Sequence, residues 1–276
     1  LDETFFQILE GDGAVIDTLF ASIKRDSRHK DIVCLINEDD VCKRYFPGQY
    51  MHTINLNANN DMLFQPVKVL LQQLTQSHRI IGKYTQPAVM NKLIQGLDPL
   101  SAPPVRTTNV VLFADIKGFS LISEKYSVER VVSFINSYLD IVSNVVTESG
   151  GEVTKYIGDC VLAHFDADRA DNALQAAMRI HKTCADIREK APENTPAASL
   201  HVGIGMDYGE VIQGNVGSSI KMDYTVLGSV VNCAQRLERL TRVLPASLIF
   251  SEEMKNNISE TWDCFHLGKH WVKGKE

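Results

Sequence analysis

Two short stretches constrain this chain more than anything else in it. Val110–Ser120 reads VVLFADIKGFS, and Gly150–Phe165 reads GGEVTKYIGDCVLAHF. In the first, an apolar run ends at Asp115 and a glycine-containing turn follows at Lys117-Gly118. In the second, EVTKYI and CVLAHF flank a Gly158-Asp159 tip, the pattern of a β-hairpin. If the strands are neighbours, both carboxylates meet at one end of one sheet, beside backbone N–H groups of the Ile116, Lys117, Gly118 and Phe119 turn. Paired carboxylates suit two divalent cations, and a turn of free N–H groups suits polyphosphate. Two metals together stabilise the attacking and leaving oxygens of a phosphoryl transfer. Either aspartate alone reads as a solvated turn residue; the weight comes from the pair and from what lies downstream.

From Thr107 onward the elements alternate. A strand is expected over 109–114, a helix over 127–148, the hairpin over 152–165, a helix over 169–189, and strands LHVGIGM and VIQGNV joined at Tyr208–Glu210. A helix over 229–241 and a strand over 247–250 follow. The order β-α-β-β-α-β is the ferredoxin-like arrangement, so the fold class is α+β. In the 127–148 helix, Val128, Val131, Val132, Ile135, Leu139, Val142 and Val146 form the expected apolar face. Ahead of this region, GLDPLSAPP (96–104) is the best domain boundary, and Pro87 reads as an earlier break. The expected domains are therefore 1–59, a helical linker over 60–105, and 106–276. In the linker, Leu63, Val67, Leu70, Leu74 and Ile81 fall on an a/d seam with Ser77 in the remaining slot, a stripe that either packs locally or dimerises. Residues 1–59 read as a small α/β unit, with strands at 4–9, 31–36 and 50–56 and a helix over 14–24.

A second group of side chains accompanies the aspartates. Lys155 lies on the first arm of the hairpin, and Thr225 sits in DYTVLG. Asn232 and Arg236 are one helical turn apart, so an amide and a guanidinium share a face and suit a sugar and a phosphate. Lys273 and Lys275 add late basic groups. Singly, each has a plain reading as a strand residue or a solvated charge. The rest of the composition excludes other classes. A net charge of −6 gives no support to nucleic-acid binding, and no apolar run approaches a membrane span. The cysteines at 34, 42, 160, 184, 233 and 264 contain no CxxC pair and read as core residues of a reducing, cytoplasmic compartment. The histidines lack HxxxH and HExxH spacing.

Taken together, FADIKGFS, GGEVTKYIGDCVLAHF, GIGMDYGEVIQGNVGS, YTVLGSVVNCAQRLE and VKGK resemble, in that order, the catalytic domain of a class III nucleotidyl cyclase. The resemblance covers about 106–276. It implies cyclisation of ATP or GTP with loss of pyrophosphate. Carried over by motif, Asp115 and Asp159 would bind two Mg²⁺ or Mn²⁺ ions, and Lys155 and Thr225 would read the purine. Asn232 would orient the ribose, Arg236 would stabilise charge at the α-phosphate, and Lys273 would contact the triphosphate. The Lys/Thr pair resembles the adenylyl type; a guanylate cyclase, and a nucleotide-binding regulatory module without turnover, are the alternatives. The family also implies a head-to-tail homodimer with composite sites in the interface, the aspartates from one chain and the base-reading and Asn/Arg groups from the other.

FFQILEG, DSRHKDIVCL and FPGQYMHTINL resemble the second half of a BLUF domain, a flavin-binding blue-light sensor. Gln7 would be the glutamine beside the FAD or other flavin, and Met51 the nearby methionine. Gln49 stands where many relatives have tryptophan, and the family's tyrosine and flavin-binding asparagine would precede residue 1. The order of sensor, helical linker and cyclase resembles the bacterial photoactivated adenylyl cyclases. On this reading the chain is cut at both ends, and as written it is expected to bind flavin poorly and to be indifferent to light.

Overall fold

The computed structural model describes residues 7, 9–28, 32, 34, 64–259 and 261–270. The expected strands at 4–9, 31–36 and 50–56 fall largely or wholly outside them, as do Met51 and Lys273. The chain divides into two compact units, Leu1–Pro99 and Leu100–Glu276.

In the first unit, α1 spans Gly13–Arg25. Asp12 caps it, its Oδ1 accepting the N–H groups of Ala14 at 3.1 Å and Val15 at 3.3 Å, and Lys24 and Arg25 face the negative end of its dipole. Helix α2 spans Phe64–Tyr84. Of the expected seam, Leu70, Leu74 and Ile81 are exposed. Pro87 does not end structure but begins it. It lies in the first turn of α3, Pro87–Ile94, where a fixed φ and a missing N–H cost nothing.

The second unit is built on one sheet. Strand β1 is Val105–Ile116, followed by a short helix α4 (Phe119–Lys125) and a long helix α5 (Val128–Glu148). The hairpin is β2 (Glu152–Ile157) and β3 (Cys160–Asp166), and helix α6 (Ala170–Lys190) leads to β4, Val202–Gly217. Then come β5 (Met222–Leu227), α7 (Ser229–Leu240), β6 (Leu248–Phe250) and α8 (Glu252–Asn256). The strands are ordered β2-β3-β1-β4-β5, with β6 parallel against β4 and every other pairing antiparallel. The four strands β2-β3-β1-β4 with α5 and α6 make the ferredoxin-like core.

Two expectations are corrected here. LHVGIGM and VIQGNV are not two strands. They are one, because β1 runs alongside most of β4, from Ile116 opposite Val202 to Val105 opposite Gln213, and Tyr208–Glu210 pairs straight through. The buried stripe of α5 is also rotated from the expected one. Phe134, Tyr138, Val142, Val145 and Val146 are buried, while Val128 and Val132 are exposed. The two aromatic rings, a turn apart, offer more area than the valines and take the core-facing positions.

The sheet is covered on both faces, which is why β1 reads as a continuous apolar run instead of an alternating one. Val110, Leu112, Ala114 and Ile116 pack with α5 and α6. Val111 and Phe113 pack with Leu162, Val211 and Val226 beneath Val230 and Ala234 of α7.

Candidate active site

The β1–β3 register sets Ala114 opposite Val161, so Asp115 leaves the end of β1 beside the β2–β3 tip. Gly158 adopts φ 66°, a conformation that lets two residues reverse the chain between Ile157 and Cys160. Asp159 is thereby turned toward β1, and its Oδ2 accepts the Ile116 N–H at 3.3 Å. The carboxyl of Asp159 is pushed up to about 7, first by burial, then by a hydrogen bond with Asp115 and by that residue's charge. Asp115 Oδ1 is buried and has no hydrogen-bond partner, while Oδ2 pairs with Arg242. Below the pair, the fully buried Tyr138 hydroxyl is also without a partner.

This pair fits a hard divalent cation. It offers oxygen donors, one of them orphaned in a buried position, and burial beside Asp115 favours the protonated form of Asp159. No cluster of three or more His, Cys, Asp or Glu side chains exists among the described residues. The remaining ligands would be water, backbone or substrate oxygens, the usual habit of Mg²⁺.

Of the four backbone donors expected for polyphosphate, two are engaged internally. Ile116 donates to Asp159, and the Lys117 N–H donates to the carbonyl of His201 at 2.7 Å. Gly118 and Phe119 begin α4, with Gly118 as its cap. The Lys117 side chain turns the other way, its Nζ donating to the carbonyl oxygens of Thr241 at 2.7 Å and Ala246 at 3.4 Å.

Two residues missed in the sequence complete the surroundings. Glu238 is buried to 3% side-chain exposure, and its carboxyl is pushed up to about 7, chiefly by burial and then by Asp115. Arg242, in the turn after α7, reaches both Asp115 and, at 3.4 Å, Glu238 Oε1. They come this close because β4 has no side chains in the way. A Cβ on Gly205 would collide with the backbone of Glu238 and Ala234, and one on Gly203 with Thr241 and Glu238. The Gly203-x-Gly205 spacing on one strand face, and the acid–base pair four residues apart at 238 and 242, were the available signals.

The residues expected to read the base form a separate group. A β-bulge between Val153 and Lys155 shifts the β2 register, so Val153 sits opposite Ala163 and Lys155 opposite Leu162. Val153 therefore packs on the α5–α6 face, and Lys155 belongs to the α7 face. Its Nζ meets Asp223 Oδ2 of β5 at 3.1 Å. Thr225, two residues along β5, is buried and pairs with Gly214. On α7, Asn232 is exposed and Arg236, one turn on, is half-buried. Gln7 is exposed.

Residues 104–276 match the family described as adenylate and guanylate cyclase catalytic domain. The chain belongs to that family. Residues 1–52 of this cyclase chain match the family of sensors of blue-light using FAD. Among solved structures, a bacterial light-regulated adenylyl cyclase superposes with a TM-score of 0.90 at 42% identity, over 95% of this chain and 77% of that one. The adenylyl cyclase CyaB from P. aeruginosa superposes with a TM-score of 0.56 at 28% identity, over 63% of this chain and 91% of that one. Among curated relatives, the photoactivated adenylate cyclase subunit beta of Euglena longa is 31% identical over 92% of this chain. Subunit alpha of Euglena gracilis is 32% identical over the same share. The cyclase chain spans 30% of the first of these relatives and 25% of the second. No helix among the described residues is long and apolar enough to cross a membrane.

Proposed function

We propose that this chain is the sensor and cyclase portion of a blue-light-regulated adenylate cyclase, converting ATP to cyclic AMP and pyrophosphate. The observation that carries the reading is the orphaned, buried Asp115 Oδ1 beside Asp159, two carboxyls brought together at the end of the sheet. Two bound Mg²⁺ or Mn²⁺ ions would lower the pKa of the attacking ribose 3′-hydroxyl and steady the triphosphate. The chain's own work is then positioning and charge stabilisation. Asp115 and Asp159 hold the ions. Lys155, kept in place by Asp223, presents an ammonium donor to the N1 acceptor edge of adenine, where guanine carries a donor, and Thr225 lies beside it on β5. Unpaired donors in such a pocket are costly, so this edge discriminates between the purines. Asn232 orients the ribose, Arg236 faces the α-phosphate, and Lys273 reaches the triphosphate. The relatives' names, and identity extending over 92% of the chain, support the adenylate reading and the coupling to light.

In this reading residues 1–59 belong to the flavin sensor, with Gln7 and Met51 beside the flavin, 60–105 link it, and 106–276 catalyse. The enzyme is a cytoplasmic head-to-tail homodimer whose two sites each combine the aspartates of one chain with Lys155, Thr225, Asn232 and Arg236 of the other. The test is a cyclic-nucleotide assay with ATP and with GTP. Asp115→Ala or Asp159→Ala abolishes turnover, and mixing Asp115→Ala chains with Arg236→Ala chains restores part of it. Full activity in either aspartate variant at saturating Mg²⁺ refutes the assignment, and preferential use of GTP refutes the purine reading.

A further inference from the structure

We propose that Arg242 is an internal cation that occupies the Asp115 carboxylate in the metal-free protein and is displaced when a divalent ion binds, so that this residue sets the metal affinity of the site. The inference rests on the reading of Asp115 and Asp159 as metal ligands, and four observations carry it. The Arg242 guanidinium pairs directly with Asp115 Oδ2 while Oδ1 stays unpartnered, so one oxygen is neutralised and the other is left for an incoming ion. Arg242 also faces Glu238, which is fixed in the core by the close packing of α7 on Gly205. The neighbouring cation cannot substitute for it. Lys117 is tied to the carbonyls of Thr241 and Ala246 at the end of α7. Finally, the Arg242 side chain is 41% exposed and sits in a turn, whereas Asp115 is 15% and Glu238 3% exposed. The arginine is the member of the cluster able to move into water without opening the core.

The carboxylates thus carry an opposite charge whether or not metal is present. Part of the binding energy of the first ion is spent in breaking the Arg242–Asp115 pair, and affinity is lower than the two carboxylates alone would give. A guanidinium on Asp115 Oδ2 leaves only Oδ1 of that residue to the ion until it departs.

The test uses the full chain without nucleotide and follows free Mn²⁺ by electron paramagnetic resonance during titration. Arg242→Gln should bind Mn²⁺ about tenfold more tightly than the native chain, the scale of a well-formed, partly exposed ion pair. Arg239→Gln removes the same charge from the end of α7, three residues earlier, without touching Asp115, and should change the affinity about twofold or less. Arg242→Lys, which keeps the charge but loses the planar fork, should fall between the two. Equal or weaker binding by Arg242→Gln, or an equal gain in Arg239→Gln, overturns the proposal. The measurement does not depend on turnover, so a chain without cyclase activity still reports on Arg242. Asp115→Asn is titrated alongside; if it binds Mn²⁺ like the native chain, it is the metal reading that fails.

Discussion

Replacing Gly205 with alanine tests how α7 is held over the sheet. The added methyl would lie 2.7 Å from the Glu238 Cα and closer still to the Glu238 nitrogen and the Ala234 oxygen. Carbon atoms settle at about 3.5–4.0 Å, so α7 must retreat by roughly 1 Å, and backbone cannot yield as a flexible side chain would. Overpacking of this kind costs about 1–3 kcal/mol. The helix also carries Asn232, Arg236 and the root of Arg242, and a displacement of about 1 Å in positioning groups lowers turnover about 100-fold. Urea unfolding followed by far-ultraviolet circular dichroism gives the first quantity, and kcat for ATP gives the second. Gly214→Ala is the comparison. Its methyl would meet the Cα and Cβ of Pro104 at 3.0 and 3.1 Å, in a coil segment able to give by a few tenths of an ångström. A Gly205→Ala chain with native stability and native kcat would show that the helix does not depend on that clearance.

Two further outcomes follow from the buried polar groups. Asp159 and Glu238 are both raised to about 7, whereas in the unfolded chain they ionise near 4. The folded state therefore binds more protons between these values, and the associated stability is complete below about 4 and lost as pH rises through about 7. The metal-free protein should unfold at a higher temperature at pH 5.5 than at pH 8, by a margin reduced because Asp159 is half exposed. Mn²⁺ should stabilise it more at pH 8 than at pH 5.5, and a metal-free melting temperature that rises across this window contradicts the assignment. Tyr138→Phe removes a buried hydroxyl that has no partner and should leave stability unchanged or raise it by about 1 kcal/mol in urea unfolding. A loss of more than 1 kcal/mol would mean that the hydroxyl is hydrogen-bonded.

Local signals carried far in this sequence where each element's pattern is self-contained. The Gly158-Asp159 tip, the helix following Ser127 and the 229–241 helix all lie where periodicity and turn residues put them. What the pattern could not reveal depends on partners remote in the chain. Tyr208–Glu210 has the composition of a turn, and only the presence of β1 along its whole length keeps it extended. The stripe of α5 departs from the valine pattern because valines and aromatics compete for one groove, and residue volume settles that competition. In the site, the two aspartates were legible from their strands. Arg242 and Glu238 were not, since their approach to Asp115 rests on glycines some 35 residues earlier in β4. The Lys155–Asp223 pair likewise joins strands from the two ends of the sheet order, a closeness no local motif encodes.

The strand order has a consequence for how the chain is made. Strand β1 lies between β3, which follows it soon, and β4, which is translated much later. Once β3 has left the ribosome, about 35 more residues must be synthesised before β4 begins, a delay of several seconds at about 5–20 residues per second. Through that interval one edge of β1 is unpaired, and Asp115 already faces Asp159 while Glu238 and Arg242 do not yet exist. The nascent half-sheet thus presents its two acids without the guanidinium that later pairs with one of them, and cations of the surrounding solution stand in until Arg242 emerges.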